Sequence, residues 1–141
     1  LKVDPKKRML FDPQESVDFN GNTGPFIQYT YARIQSLVRN YSPNFTLPKN
    51  ISISPKEKDI IKNLLDFSNI IDEAAKSFSP AVVANYVYDL VKGFNNYYQH
   101  TPILKADSED LIKFRLALSI KVGEVIKRSM KLLGIDVPER M

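Results

Sequence analysis

Residues 21–39 read GNTGPFIQYTYARIQSLVR and carry the clearest helix signal in the chain. The tripeptide NGN at 20–22 is a turn signal. The next three residues, TGP at 23–25, supply a polar cap, a permissive glycine and a proline suited to the first turn of a helix. We therefore predict a helix from Pro25 to Arg39.

The first turns of this helix bring aromatic and cationic side chains to one face. Phe26 and Tyr29 lie three residues apart and Arg33 follows four residues later, so two rings and a guanidinium share that face. Such a face can stack on RNA bases and hold a phosphate. The alternative is that the rings belong to the core and Arg33 is a solvated charge. The spacing alone favours this alternative.

Two serine–proline pairs mark the starts of further helices. SPKE at 54–57 combines a serine cap, a proline at the first helical position and a glutamate placed for a capping box. Apolar residues then recur at helical spacing to about Ser77, and the segment can break into two helices at Ser68 and Asn69. The second pair, at 79–80, starts another helix.

Core stripes are predicted on the last two helices. The helix that starts at 79–80 carries apolar residues at spacings of four and three, namely Val83, Val87, Leu90, Phe94 and Tyr97. A loop over 99–106 follows, and Asp107 and Asp110 give the final helix an acidic first turn. The predicted core face of the final helix consists of Leu111, Phe114, Leu118, Val122, Val125 and Leu132. Gly134 is placed to end it. With no strand signal, the sequence predicts an all-α bundle of four to five helices.

The remaining segments have the composition of connections. Residues 1–20 form an irregular lead-in with a short helical turn near 13–17, and residues 40–53 form a loop with two prolines. We therefore divide the chain into a lead-in over 1–20 and a helical domain over 21–141. The chain begins with Leu1 rather than methionine, from which we expect a piece of a longer protein.

The composition is that of one globular domain. With 141 residues, of which 43% are hydrophobic and 26% charged, the chain can bury a core of its own. It contains no cysteine and a single histidine, His100, so we expect neither a disulfide nor a metal site. The net charge of +4 favours an anionic partner. No apolar run approaches the length of a membrane span, so we expect no membrane partner.

No group of residues forms a catalytic constellation. Acidic pairs such as Asp72 and Glu73 are adjacent, so their side chains point apart on a helix. Aromatic residues beside amides, as in NNYY at 95–98, are instead the side chains that stack on unpaired RNA bases and hydrogen-bond their edges. RNA binding is therefore the interpretation that the chemistry favours.

Several segments carry a family resemblance. GNTGPFIQYTYARI resembles the G-x-T-G-P-[YF]-[IL]-Q-Y-x-x-x-R segment of arginyl-tRNA synthetases, which joins the catalytic domain to the anticodon-binding domain. SPAVVANYVYDLVKGFNNYYQHTPIL and FRLALSIKVGEVIKRSMKLLG resemble the middle and the last long helix of that all-helical domain, called the DALR domain. LLGIDVPERM is similar to the C-terminus of the family. The resemblance covers nearly the whole chain.

The resemblance implies RNA-binding roles for seven residues. They belong to the helix whose start faces the anticodon loop, to the tyrosine that closes an F-x-x-[FY]-Y segment, and to the end of the chain, which walls the pocket for the central anticodon base. The seven residues are Phe26, Gln28, Tyr29, Arg33, Tyr98, Arg140 and Met141. The family more often has tyrosine at the position of Phe26, so this chain keeps the stacking ring there and lacks the phenolic hydrogen bond.

The resemblance also implies a parent activity. Arginyl-tRNA synthetases ligate arginine to tRNA(Arg) with ATP and Mg²⁺ in the cytoplasm. Their HIGH-like and KMSK-like catalytic motifs do not occur in this sequence. We therefore expect the chain alone to be inactive and to hold no cofactor. Its expected partners are tRNA(Arg) and the catalytic domain of the same parent chain, and not DNA.

Three alternatives remain open at this point. The chain can be a stand-alone helical RNA-binding module, the related helical domain of another class I synthetase such as the cysteine enzyme, or a purely structural bundle. An upstream HIGH-like motif would distinguish the first of these from a synthetase domain. A structural bundle would show no salt-dependent RNA binding.

Overall fold

The computed structural model describes residues 3, 7, 8, 12–16, 18, 21–41, 48 and 50–141. Most of the lead-in predicted over 1–20, and residues 42–47 and 49 of the predicted loop, lie outside the described residues. The described part contains helices and no strand, which confirms the all-α prediction. Its helices are α1 (Pro13–Ser16), α2 (Gly24–Arg39), α3 (Pro55–Leu65), α4 (Phe67–Ser77), α5 (Pro80–His100) and α6 (Glu109–Leu132).

Helices α2, α3 and α5 begin where the turn and serine–proline signals place them, although the Ser79 side chain makes no cap bond to α5. The Thr23 hydroxyl accepts a hydrogen bond from the backbone amide of Phe26 at 3.4 Å, and a proline stands in the first turn of α2. Ser54 and Glu57 form the predicted capping box, with each side chain bonded to the other's backbone amide. The cap of α6 is Ser108, whose hydroxyl accepts from the amide of Leu111.

Two helix ends differ from the prediction. The break between α3 and α4 lies at Asp66 rather than at Ser68 and Asn69. Asp66 ends α3 and precedes α4, and its carboxylate accepts a hydrogen bond from the side-chain amide of Asn69 at 2.8 Å. The second difference is that α5 continues to His100 and so includes the beginning of the predicted loop.

Helix α5 lies at the centre of the bundle. All five residues of its predicted core stripe, Val83, Val87, Leu90, Phe94 and Tyr97, are buried. Helices α2 and α6 pack against each other and against α5, while α3 and α4 cover another side of α5. The spacing of apolar residues therefore predicted the central helix correctly, because α5 is surrounded by helices that its large side chains contact.

The core face of α6 differs from the predicted one. Leu132 is 61% exposed, and Leu111, Phe114 and Val125 are only half-buried, although Leu118 and Val122 are buried as predicted. The buried face instead includes three small residues, Ser119, Gly123 and Ser129. The larger residues on that face include Leu116, Ile126 and Met130. Small residues allow two helices to approach closely, and a search for large apolar residues overlooks them.

Gly123 marks the point where α6 meets α2. A Cβ atom placed on Gly123 would lie 3.2 Å from Cγ2 of Ile34, which is fully buried. Few real Cβ contacts are this short, so the two helices pack closely only because position 123 has no side chain. This packing fixes the position of α2, on which the candidate site is built.

Replacing Gly123 by valine is expected to lower the free energy of unfolding by about 2 kcal/mol, because the added methyl groups must displace Ile34 from a filled core. Urea unfolding of the purified chain measures the effect. The control is Gly93→Ala on α5, where an added Cβ meets no atom within 4 Å. That substitution is expected to raise the free energy of unfolding by about 0.5–1 kcal/mol through helix propensity. An unchanged unfolding midpoint for Gly123→Val would contradict the close helix contact.

A buried ion pair joins three helices. Glu57, which is fully buried, accepts hydrogen bonds from the Ser54 amide at 2.7 Å, the Tyr97 hydroxyl at 3.1 Å and Nε of Arg115 at 2.8 Å. Arg115 also donates to the carbonyl of Pro102 at 2.8 Å. The start of α3 is thereby connected to α5, to α6 and to the loop between α5 and α6.

The surroundings of Glu57 favour its charged form. Burial alone would raise the pKa of this carboxyl, but the hydrogen bonds from the Ser54 amide, from Arg115 and from Tyr97 together hold its pKa below the usual 4.5. The pKa of Tyr97 is raised, first by burial and then by the neighbouring carboxylate. Glu57 is therefore ionised at neutral pH although no solvent reaches it.

None of the helices in the described ranges is both long enough and apolar enough to cross a membrane.

Candidate nucleic-acid interface

A guanidinium and two tyrosine rings meet where α2 lies against α5. The Cζ atom of Arg33 is 4.9 Å from the ring centre of Tyr29 and 5.0 Å from that of Tyr98. Both distances are within the range of cation–π attraction. Tyr29 is 43% exposed, whereas Arg33 and Tyr98 are half-buried. The cluster therefore presents one ring to solvent and keeps the guanidinium beside it.

Hydrogen bonds fix the position of Arg33. Its NH1 group donates to Oδ1 of Asn95 at 2.7 Å, and Nδ2 of Asn95 donates to the hydroxyl of Thr30 at 2.8 Å. The Thr30 hydroxyl, which is buried, donates in turn to the carbonyl of Phe26 at 3.1 Å. Because this chain of bonds ends on the backbone of α2, the guanidinium is held in place before any ligand arrives. The sequence showed Asn95 beside the tyrosines but gave no signal for its link to Arg33.

A cleft of about 650 Å³ opens next to this cluster. Three arginines line it, Arg33, Arg39 and Arg140, and its described lining contains no aspartate or glutamate. The other lining residues are Tyr29, Ala32, Ser36, Leu37, Asn40, Tyr98, Leu104 and Met141. A cleft of this size and charge can hold an anionic ligand of nucleotide dimensions, with an aromatic face on one side.

The segment after α6, residues 133–141, forms one wall of the cleft and is here named the C-terminal segment. It leaves α6 through Gly134, whose φ of 75° is in the left-handed region. It then runs back along α2. The Gln28 amide donates to the carbonyl of Asp136 at 2.7 Å, and NH1 of Arg39 donates to the carbonyl of Glu139 at 3.0 Å.

The structure brings together five of the seven residues that sequence analysis selected. Tyr29, Arg33, Tyr98, Arg140 and Met141 all line the cleft.

The other two selected residues lie outside the lining of the cleft. Phe26 is half-buried and packs against Tyr88, with ring centres 5.8 Å apart, and Gln28 bonds to the C-terminal segment. Arg39 lines the cleft but was not selected, because an arginine in the last turn of a helix is also the usual partner of the helix dipole. That any of these residues contacts RNA stays a prediction.

A family model supplies the decisive comparison. The model described as the DALR anticodon binding domain matches residues 27–141, which is most of the chain. This chain belongs to the DALR anticodon-binding domain family. The cleft described above lies within the matched residues.

Named relatives of this DALR domain agree with the family match. The chain is 55% identical over 141 residues to arginine–tRNA ligase of Flavobacterium psychrophilum and 52% identical over 146 residues to that of Parabacteroides distasonis. Each match covers the whole of this chain and 24% of the relative. The DALR domain thus spans about a quarter of the length of these ligases.

Solved structures show the same fold. The DALR domain superposes on arginyl-tRNA synthetase of Thermus thermophilus with a TM-score of 0.93 and 36% identity, covering all of this chain and 25% of that one. The corresponding values for the Plasmodium falciparum enzyme are a TM-score of 0.84 and 27% identity, over 99% of this chain and 25% of that one. The helical arrangement around the cleft is therefore that of arginyl-tRNA synthetases.

Proposed function

We propose that this chain binds the anticodon loop of tRNA(Arg), with the cleft between α2, α5 and the C-terminal segment as the binding site. The observation that carries the proposal is the joint presence in one cleft of an exposed tyrosine ring and three arginines, Arg33, Arg39 and Arg140, within a domain of the DALR family. The surface offers both kinds of contact that loop RNA requires, which are a stacking platform and cations for phosphates.

Each part of the cleft has a distinct role in this proposal. The ring of Tyr29 stacks on an unpaired base, an interaction worth roughly 1–3 kcal/mol. Arg33 has five N–H donors, of which Asn95 takes one, so the others serve a phosphate or a base edge. Arg140 and Met141, which line the cleft at the end of the C-terminal segment, limit which base fits.

The chain matches about a quarter of the length of its relatives, which are named arginine–tRNA ligases, and this supports a proposal about a longer protein. We propose that the chain works as part of a cytoplasmic arginine–tRNA ligase, with the lead-in over 1–20 connecting it to a catalytic domain. ATP and Mg²⁺ would be held by that other domain. Binding the anticodon loop here orients the tRNA so that its acceptor end reaches the catalytic site, which contributes both selection and positioning.

Binding to two tRNAs at two salt concentrations tests the proposal. The purified chain is expected to bind tRNA(Arg) about tenfold more tightly than the same tRNA with its central anticodon base changed, which corresponds to one base contact of about 1.4 kcal/mol. Higher salt should weaken both complexes through the phosphate contacts and leave their ratio nearly unchanged. If the two tRNAs bound with equal affinity at each salt concentration, the chain would have a basic surface without base recognition. That result would contradict the proposed function.

A further inference from the structure

The side chain of Gln28 reaches across the fold to the backbone of a distant segment. Its Nε2 atom lies 2.7 Å from the carbonyl oxygen of Asp136, a residue 108 positions later in the sequence. Gln28 is half-buried on α2 and does not line the cleft. Its amide donor is therefore directed toward protein rather than toward the site that we assign to RNA.

Among the described residues, the contacts of the C-terminal segment become fewer toward its end. Ile135 is anchored by a backbone hydrogen bond to Met130, and Ile135 and Val137 pack against the core. Beyond Val137 every residue of the C-terminal segment is exposed, and the carbonyl of Glu139 accepts a hydrogen bond from Arg39. The Gln28 bond is made to Asp136, which lies between the packed residues Ile135 and Val137 and just before the exposed end of the segment.

We infer that Gln28 is a positioning residue, whose amide holds the C-terminal segment against α2 so that Arg140 and Met141 stand in the wall of the cleft. The inference rests on the proposed function for its effect on RNA. It differs from the role that the family resemblance implied for Gln28, since here Gln28 acts on RNA only through Arg140 and Met141. Arg39 also bonds to the C-terminal segment, but it lines the cleft as well. A substitution of Arg39 could therefore not distinguish holding the segment from contacting RNA.

Backbone NMR of the 141-residue chain tests the placement without any RNA. Gln28→Met keeps the side-chain length and removes the amide donor. We expect the order parameters of the Val137 and Glu139 amides to fall from near 0.85, typical of rigid backbone, toward values below 0.6. The matched control is Gln35→Met on the same helix, beside Gly123 of α6, which should leave these order parameters unchanged. Unchanged values in folded Gln28→Met would overturn the inference.

A double-mutant cycle tests the consequence for RNA. Gln28→Met is expected to weaken binding of tRNA(Arg) about fivefold, the order of one lost hydrogen bond, and Gln35→Met to leave it unchanged. In a chain that already carries Arg140→Ala and Met141→Ala, Gln28→Met should have no further effect. An equal fivefold loss in that background would mean that Gln28 contacts RNA directly and would overturn the inference.

The NMR experiment and the RNA-binding experiment together distinguish failure of the inference from failure of the proposed function. If the wild-type chain showed no preference for the arginine anticodon, the proposed function would fail. The order parameters would still decide whether Gln28 holds the C-terminal segment.

Discussion

Glu57→Gln is expected to lower the free energy of unfolding by about 3 kcal/mol, because it removes one partner of a buried ion pair and leaves Arg115 without its counter-charge. Glutamine keeps the size of the side chain and can still serve in a capping box, so the loss isolates the charge. For a domain of this length the melting temperature should fall by roughly 10 °C. Thermal unfolding followed by circular dichroism measures this change.

The pH dependence gives a second measure of the same ion pair. Because the pKa of Glu57 is lowered in the folded state, its carboxylate stabilises the fold above the usual pKa of 4.5, and this stabilisation is lost as the pH falls through the folded-state pKa. The difference between wild type and Glu57→Gln should therefore be complete at pH 7 and shrink in acid.

The matched control for Glu57→Gln is Glu124→Gln. Glu124 pairs with Lys121 at 2.9 Å, and both side chains are exposed. Solvent screens such a pair, so its loss should leave the melting temperature unchanged. Equal melting temperatures for the Glu57 and Glu124 variants would contradict the buried ion pair.

Arg33→Met is expected to weaken binding of tRNA(Arg) about 30- to 100-fold, the order of one lost charge-assisted hydrogen bond together with the lost cation–π contacts. Methionine keeps an unbranched stem of four heavy atoms and removes the guanidinium charge. The guanidinium is held by Asn95 and by the two rings, so the site loses a cation that is already in place. Fluorescence anisotropy with labelled tRNA measures the affinity, and the melting temperature confirms that the variant is folded.

Salt dependence separates the charge of Arg33 from its shape. Arg33→Met should reduce the magnitude of the slope of log K against log salt by about one, the change expected for one lost phosphate contact. Arg33→Lys keeps the charge and should keep the slope. The lysine variant should still bind about tenfold more weakly, because an ammonium group lacks the planar fork that stacks between rings and forms paired hydrogen bonds. Arg128→Lys, on the exposed part of α6, is the control and should bind as wild type does. Wild-type affinity in Arg33→Met would remove Arg33 from the site.

Local signals in the sequence predicted where helices begin, since a capping box depends on residues only three positions apart. The capping box of Ser54 and Glu57 forms as predicted. Features that depend on a neighbouring helix, such as the buried face of α6 and the partner of Glu57, were not predicted. The predicted core face of α6 was wrong because Gly123 and Ser119 are buried although small, and the importance of Gly123 is evident only once α2 is known to lie against it. Nor can any short pattern indicate that Glu57 pairs with Arg115, 58 residues away.

In the candidate site, too, local spacing predicted some features, whereas others depend on packing between distant segments. Helical spacing placed Tyr29 and Arg33 on one face, and the structure agrees. Arg140 and Met141 were selected by family resemblance alone, and Tyr98 by that resemblance and as one of several aromatic residues beside amides, because their nearness to α2 depends on tertiary packing. Asn95, which orients Arg33, was not selected, since an asparagine beside tyrosines has the same pattern whether or not it meets an arginine on another helix.

The contact between Gln28 and Asp136 also sets an order of events during synthesis. On a ribosome, α2 is made more than a hundred residues before the segment that completes the cleft. A nascent chain that has emerged only through α6 has the helices and the ring cluster but lacks the wall formed by Arg140 and Met141. We therefore expect chains that stop before Asp136 to compete poorly for tRNA, because the proposed binding site is complete only once residues 136–141 have docked on α2.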